Sequence, residues 1–335
     1  MDYFASGGTV GCPALLVEPS AQNLALRSDE FRTIAEGGPS NSWTANDTVI
    51  ISVNNLSPDG TNNATRIRGA TTPTNRARQQ IITGTSGVAY VGSAWIRRVS
   101  GTSPITLRVG DAGSTTNISP TSTWQRFSFS STPTTTTVRI AFVFPNDTDE
   151  FEIWGAQLET GSVATSYIPT TTASVTRNAD VISVSGAVSG SIGQTEGTIY
   201  AEVETRVTAG TAAKRILTIS NGNDADNRIS IGKQADDAFI GSILSGGVAQ
   251  AAITSTTNQS GSFKIAFAFK ANDAVLYING TQIGTDTSLG IPSGLNRVDF
   301  GQSAANAAQF NDRILPVALY PNRLTNAQLQ ALTTP

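Results

Sequence analysis

The sequence predicts an all-β protein made of two tandem antiparallel β-sandwich domains and a short C-terminal helix. Charged residues make up only 14% of the chain and aromatic residues 7%, while 31 glycines accompany long tracts of Thr, Ser and Asn. Such a composition favours strands, because helical proteins are richer in Glu, Lys, Leu and Ala. The length of 335 residues suits two domains of about 150 residues each.

Three segments of the first half alternate between apolar and polar residues, as strands with one buried and one exposed face do. They cover residues 88–98, 124–130 and 138–144. The residues predicted to face inward are Val88, Tyr90, Ala94 and Ile96 in the first, Phe127 and Phe129 in the second, and Val138, Ile140, Phe142 and Phe144 in the third. The residues predicted to face outward are Ser93, Trp95 and Arg97, then Trp124, Arg126 and Ser128, then Arg139.

Residues 151–158 are predicted to form the last strand of the first domain, with Phe151, Ile153 and Gly155 on one face. Pro169 has no backbone N–H to donate to a neighbouring strand, so it cannot lie in the middle of a sheet. It also favours an extended backbone at Ile168, the residue before it. Residues 170–176 are a polar, threonine-rich run, which indicates an extended joint between two domains.

The second half repeats the strand pattern and ends in a helix. Short strands are predicted at 197–204, 215–220, 228–232, 238–244 and 263–269, and Asn279-Gly280 is the preferred turn of a two-residue hairpin within 274–284. Thr325 and Gln328 have the spacing of a capping box, with Leu324 and Leu329 as a hydrophobic staple, so a helix is expected to start there.

Composition separates the two halves, because all four tryptophans precede residue 170 and all four lysines follow it. We therefore divide the chain into an N-terminal attachment segment (1–22), a first sandwich (23–170), a linker (171–178) and a second sandwich (179–335).

Trp154 to Thr170 reads W-G-A-Q-L-E-x-G-x-x-A-T-S-Y-I-P-T. It resembles the motif that closes a carbohydrate-binding-module-like jelly roll in many bacteriophage tail and fibre proteins. Two further stretches, L-L-V-E-P-S-A-Q-N-L-A-L-R-S-D-E-F at 15–31 and S-P-D-G-T-N-N-A-T-R-I at 57–67, resemble the start of the same domains. The resemblance covers roughly residues 15–170 and implies a jelly roll.

The C-terminal half resembles laminin-G or concanavalin A-like sandwiches. The resemblance rests on the Asn279-Gly280 hairpin, Asp299-Phe300-Gly301, F-N-D-R-I at 310–314 and A-L-Y-P-N-R-L-T-N-A-Q-L-Q-A-L at 318–332. It spans about residues 178–332 and implies that the final segment packs back on the sandwich.

Together these resemblances imply a non-enzymatic virion structural protein of a tailed bacteriophage. The function expected first is a tail fibre or receptor-binding component that contacts host surface glycans, and the alternative is a head fibre or capsid decoration protein. The partners so implied are other virion proteins, further copies of this chain in a homotrimer, and a host surface polysaccharide. No heptads appear, so a trimer would be held by sandwich surfaces.

Net charge, apolar runs and cysteine content limit the partners and the location that we expect. A net charge of −3, spread evenly over both halves, argues against nucleic acid as a partner. No apolar run approaches a membrane span and the N-terminus lacks a signal-peptide pattern, so we expect a protein made in the host cytoplasm and placed on the virion, at the tail or capsid surface. Cys12, the one cysteine, is expected to be structural, and no cofactor is expected.

The chain contains no histidine. This excludes Ser-His-Asp catalytic triads and proton transfer by an imidazole side chain. Catalysis would therefore need carboxylates, and the rival function is a glycan depolymerase. The acidic cluster Asp147, Asp149, Glu150 and Glu152 invites comparison with a retaining pair. We interpret it instead as a solvated turn before an edge strand, with a calcium-stabilised turn as the alternative.

Residues 221–227, with Asn221, Asn223, Asp224, Asp226 and Asn227, offer oxygen ligands but lack a bidentate Glu. A polar hairpin tip is the preferred interpretation and calcium the alternative, so neither a metal site nor a catalytic residue is predicted.

The candidate binding residues are Trp95, Arg97, Trp124 and Arg126, which are predicted to lie on the outward face of neighbouring strands. A tryptophan ring stacks on the C–H face of a sugar, and arginine donates hydrogen bonds to hydroxyl groups. The alternatives are that the second sheet of the sandwich or a neighbouring subunit covers this face.

Overall fold

The computed structural model describes residues 2–4, 10–38, 43–71, 76–186, 190–206, 212–223 and 225–335. The chain folds into two compact units. The central unit comprises residues 20–177, and the split unit comprises residues 1–19 together with 178–335. The all-β prediction is confirmed, since the described elements are antiparallel strands with one short 3-10 turn and one C-terminal α-helix.

Strands are numbered in chain order. The split unit begins with β1 (Asp2–Phe4) and β2 (Val10–Leu16). The central unit contains β3 (Ala21–Asn23), β4 (Thr44–Asn46), β5 (Thr48–Leu56), β6 (Asn62–Gly69), β7 (Ala77–Thr83), β8 (Tyr90–Arg98), β9 (Ile105–Gly110), β10 (Thr115–Ile118), β11 (Gln125–Ser131), β12 (Thr137–Val143), β13 (Phe151–Thr160) and β14 (Val175–Arg177), with the 3-10 turn at Ile34–Glu36. The split unit resumes with β15 (Ser183–Ser185), β16 (Glu196–Thr205), β17 (Lys214–Ser220), β18 (Arg228–Lys233), β19 (Phe239–Ser245), β20 (Val248–Thr254), β21 (Gly261–Lys270), β22 (Asp273–Ile278), β23 (Thr281–Asp286), β24 (Arg297–Phe300), β25 (Arg313–Tyr320) and helix α1 (Asn326–Thr333).

The central unit has the strand order of a jelly roll. One five-stranded sheet runs β11-β8-β13-β6-β5 and the other β10-β9-β12-β7-β4. The pairs β6–β13, β7–β12, β8–β11 and β9–β10 are nested in sequence. Strands alternate between the two sheets from β6 to β9 and again from β10 to β13, as in a jelly roll. The jelly-roll fold that the resemblance implied is therefore present.

The inward rows predicted from alternation form the core between these two sheets. Ala94 and Ile96 of β8 and Ile140 and Phe142 of β12 are fully buried. Phe127 and Phe129 of the edge strand β11 pack against the same core while partly exposed. The predicted Val88 is an exception, since it precedes β8 and is 37% exposed.

The alternation predicted that Gly155 lies on the same face as Phe151 and Ile153. The structure does not place it there. The pairing of β13 with β8 shifts register between Trp154 and Gln157, and Gly155 has φ +65°. This is the geometry of a β-bulge, which inserts one residue and reverses the side-chain alternation beyond it. Ala156 and Leu158 therefore fill the core after the bulge.

The chain is divided at different positions from those predicted. Ala21 pairs with Arg177 and Asn23 with Val175. The run predicted as a joint between two domains, residues 170–176, therefore lies within the central unit. The stretch predicted as an attachment segment instead contributes β2 to the split unit, where Leu15 pairs with Ile314 of β25. Sequence alternation could not show this, because the two strands are almost 300 residues apart.

The split unit is a second antiparallel sandwich. Its seven-stranded sheet runs β1-β2-β25-β16-β21-β22-β23 and its six-stranded sheet β15-β24-β17-β18-β19-β20. The predicted row of β21 lies between them, with Ile265, Phe267 and Phe269 buried in one core and Phe263 packed against it.

The turn and the helix cap predicted in the C-terminal half are both present in the structure. Asn279 and Gly280 both have positive φ, +47° and +77°, as a type I′ hairpin turn needs. Thr325 and Gln328 form both bonds of the capping box. Leu329 is buried against Tyr200 and Tyr277 on the seven-stranded sheet, so the final helix packs back on the sandwich. No helix in the described ranges has the length and apolarity needed to cross a membrane.

Candidate functional site

The four candidate residues meet on the outer face of the sheet that contains β8 and β11, which we call the Trp–Arg face. Trp95 lies directly opposite Arg126 in the ladder. The guanidinium carbon of Arg97 stands 5.0 Å from the ring centroid of Trp124, within the range of a cation–π contact. All four side chains are partly exposed.

The second sheet of the central unit does not cover the Trp–Arg face. Ala94 and Ile96, which alternate with Trp95 and Arg97 along β8, are the residues that pack into the core between the sheets. Within the central unit, one of the two alternatives considered for this face therefore does not apply.

Glu152 is a member of this surface that the sequence did not reveal. Its side chain is 1% exposed, and it accepts hydrogen bonds from Arg66 (Nη2–Oε1 2.9 Å) and Arg97 (Nε–Oε2 2.6 Å). Arg97 is thus held by Glu152 on one side and by the Trp124 ring on the other. The alternation places Glu152 and Arg97 outward, but only the pairing of β13 with β8 and β6 shows that they meet.

The acidic cluster is not the solvated turn that we expected. The strand that follows it, β13, is the central strand of its sheet. Asp149 is 3% exposed, and its Oδ2 accepts a hydrogen bond from the Ser103 amide at 2.8 Å. The sequence pattern failed here because the partners of these carboxylates lie on distant strands and loops.

The described residues contain no group of three or more Asp, Glu or Cys that could hold a metal ion. In the second metal candidate, Asp224 lies outside the described residues. Asn223 donates to Asp226 (Nδ2–Oδ2 2.6 Å) and its amide donates to Asn221 Oδ1 at 3.0 Å. These bonds are the local ones of a polar hairpin tip.

Side chains of the motif at 154–170 pack within the central unit. Tyr167 packs on Trp154 with ring centroids 4.6 Å apart, and its hydroxyl lies 2.5 Å from Ser28 Oγ. Burial raises the pKa of Tyr167. Gln157 is fully buried and accepts a hydrogen bond from the Ile168 amide at 2.7 Å. Together, Trp154, Gln157 and Tyr167 hold the segment after β13 against the outer face of the sheet.

The arrangement offers a fixed aromatic and cationic surface. The Trp95 and Trp124 side chains provide apolar faces beside the planar donors of Arg97 and Arg126. Aromatic faces flanked by oriented hydrogen-bond donors suit a ligand that has both apolar C–H surface and hydroxyl groups.

Glu152→Gln is expected to destabilise the central unit by about 2 kcal/mol, because two guanidiniums then lose a charge-assisted acceptor. The matched control is Glu150→Gln, whose carboxylate is 26% exposed and 3.8 Å from Arg66. An exposed pair of this kind contributes at most about 1 kcal/mol. Urea unfolding followed by tryptophan fluorescence measures both variants, and equal losses would contradict this account of Glu152.

Comparison with known proteins shows no matching family model and no matching curated protein. Among solved structures, the Ruminococcus gnavus IT-sialidase CBM40 bound to α2,3-sialyllactose is similar, with a TM-score of 0.38 and 19% identity over 46% of this chain and 96% of that chain. The Limulus polyphemus SAP-like pentraxin has a TM-score of 0.33 and 13% identity over 40% and 68%. The NanB sialidase of Streptococcus pneumoniae has a TM-score of 0.36 and 14% identity over 46% and 27%.

Proposed function

We propose that the protein is a non-enzymatic glycan-binding protein and that the sugar binds on the Trp–Arg face. The observation that carries the proposal is the pair of partly exposed tryptophans, Trp95 on β8 and Trp124 immediately before β11, with Arg97 held against Trp124. A pre-ordered surface binds better than one that must be ordered, because less conformational entropy is lost on binding.

The setting that we propose is the virion of a tailed bacteriophage. The support is the resemblance of residues 154–170 and of the two N-terminal stretches to phage tail and fibre proteins. In this proposal the chain is a tail fibre or receptor-binding component, and a head fibre or capsid decoration protein is the alternative. A homotrimer is part of the same proposal, and a monomeric mass in solution would count against it.

A glycan array of bacterial surface polysaccharides tests the binding. Trp95→Ala and Trp124→Ala are each expected to weaken binding about 30-fold, as central aromatic contacts do. Ile81→Ala is the matched control, because Ile81 is a 51% exposed apolar residue on the other sheet of the same unit. Wild-type binding that survives both tryptophan substitutions would move the site elsewhere.

Two further experiments test the rest of the proposal. Incubation with host polysaccharide is expected to release no reducing ends, and their release would make the protein a depolymerase. Electron microscopy of particles labelled with an antibody against residues 178–335 should place the label at the tail, whereas label over the head would favour the decoration role.

A further inference from the structure

A small cavity opens in the central unit, apart from the Trp–Arg face, where β5 bulges away from β6. The pairing of these strands shifts register between Ser52 and Asn55, and Asn54 has φ +61°. The cavity has a volume of about 220 Å³. Its lining consists of Val53 and six polar residues: Asp29, Glu30, Arg32, Asn54, Asn63 and Thr65.

Carboxylates dominate the charge of this cavity. Asp29 Oδ2 accepts a hydrogen bond from Asn63 Nδ2 at 3.0 Å, and burial raises the pKa of Asp29. Glu30 is paired with Arg32, with Nε–Oε1 at 2.8 Å. When ionised, the lining therefore carries one negative charge in excess, and Asp29 is the carboxylate that has no cationic partner among the cavity residues.

Thr65 of β6 also faces this space. It is 3% exposed and lines the cavity, so its hydroxyl stands where it can exchange a hydrogen bond with a bound ligand.

The size of the cavity limits the ligand. Its volume of about 220 Å³ corresponds to about seven water molecules at roughly 30 Å³ each. That is room for one six-membered ring with its substituents, and too little for a typical drug-sized molecule, whose pockets start near roughly 300 Å³.

We propose that this cavity is a second ligand site and that it holds a single hexosamine ring with a free amino group. The ammonium group pairs with Asp29, and the ring hydroxyls donate to Glu30 and accept from Arg32 and the amide of Asn54. The Thr65 hydroxyl bonds to the ring, and Val53 contacts its C–H face. A neutral hexose has no ammonium group to pair with Asp29. A uronic acid carries a carboxylate, which Asp29 would repel.

Isothermal titration calorimetry of the full chain near pH 7 tests the proposal with glucosamine, glucose and glucuronate. Glucosamine is expected to bind at least about tenfold more tightly than glucose, which corresponds to about 1.4 kcal/mol, and glucuronate is expected not to bind. Asp29→Asn is expected to remove this preference, and Thr65→Val to weaken glucosamine binding several-fold.

Asp286→Asn is the matched control, because Asp286 lies in the split unit and its substitution should leave glucosamine binding unchanged. The double variant Trp95→Ala/Trp124→Ala should also keep it, which separates this site from the Trp–Arg face. Equal affinity for glucose and glucosamine, an unchanged preference in Asp29→Asn, or binding of Ca²⁺ in place of the sugar would each overturn the proposal.

Discussion

Deletion of residues 1–19 is expected to unfold the split unit while the central unit keeps its tertiary structure. Val17 is fully buried in the core of the split unit, and its carbonyl accepts a hydrogen bond from the Asn311 amide at 2.8 Å. Losing the Val17 side chain removes about 2 kcal/mol of burial, and each lost backbone bond about 1 kcal/mol more. The deletion also exposes the edge of β25, so a loss of about 5 kcal/mol is expected, as much as the whole stability of many domains.

The distribution of tryptophans makes this measurable in the intact chain. All four tryptophans lie within residues 20–177, so their fluorescence in urea follows the central unit, whereas far-ultraviolet circular dichroism follows both units. The deletion should leave the fluorescence midpoint unchanged and remove one transition from the circular dichroism curve.

A pair of point variants controls for the deletion. Val17→Ala should lower the stability of the split unit, while Val181→Ala, at a position 54% exposed, should not. If the deletion changes neither signal, the N-terminal strand does not belong to the fold of the split unit.

Trp43→Ala is expected to destabilise the central unit by about 3–5 kcal/mol, the range for removing a buried tryptophan. Trp43 is 1% exposed and packs against Phe31 and Phe142, with ring centroids 4.8 and 5.8 Å away. Its indole nitrogen donates to the Arg27 carbonyl at 3.1 Å. The substitution therefore leaves both a cavity and an unpaired acceptor.

Chemical unfolding followed by the fluorescence of the three remaining tryptophans measures this loss. The control is Trp124→Ala, since Trp124 is partly exposed on the Trp–Arg face, and a loss of about 1 kcal/mol is typical there. A comparable loss in both variants would mean that Trp43 is not a main contributor to the core.

Elements specified by neighbouring residues could be predicted from the sequence. The alternation in β8 and β12, the Asn279-Gly280 turn and the capping box at Thr325 each depend on a few adjacent residues. The bulge at Gly155 could not be predicted, because a glycine within an alternating run is compatible with either face until the partner strand is known. The role of the N-terminal segment depends on a partner strand at the far end of the chain.

The same distinction applies to the candidate site. Outward alternation predicted that Trp95 and Arg97 share a face, and the structure places them there. Arg66 was missed, because β6 and β8 flank β13 without being neighbours in the chain. The cavity around Asp29 was missed for a related reason, since it exists only where β5 and β6 lose register.

The pairing of β2 with β25 determines how the protein responds to mechanical tension on its termini. A pull on residues that precede β2 and follow β25 acts directly across the split unit, because β2 and β25 are paired in the same sheet. Residues 20–177 lie outside this load path until β2 separates from β25. The Trp–Arg face and the cavity around Asp29 would thus keep their geometry under force, and the rate at which the split unit unfolds would set the limit.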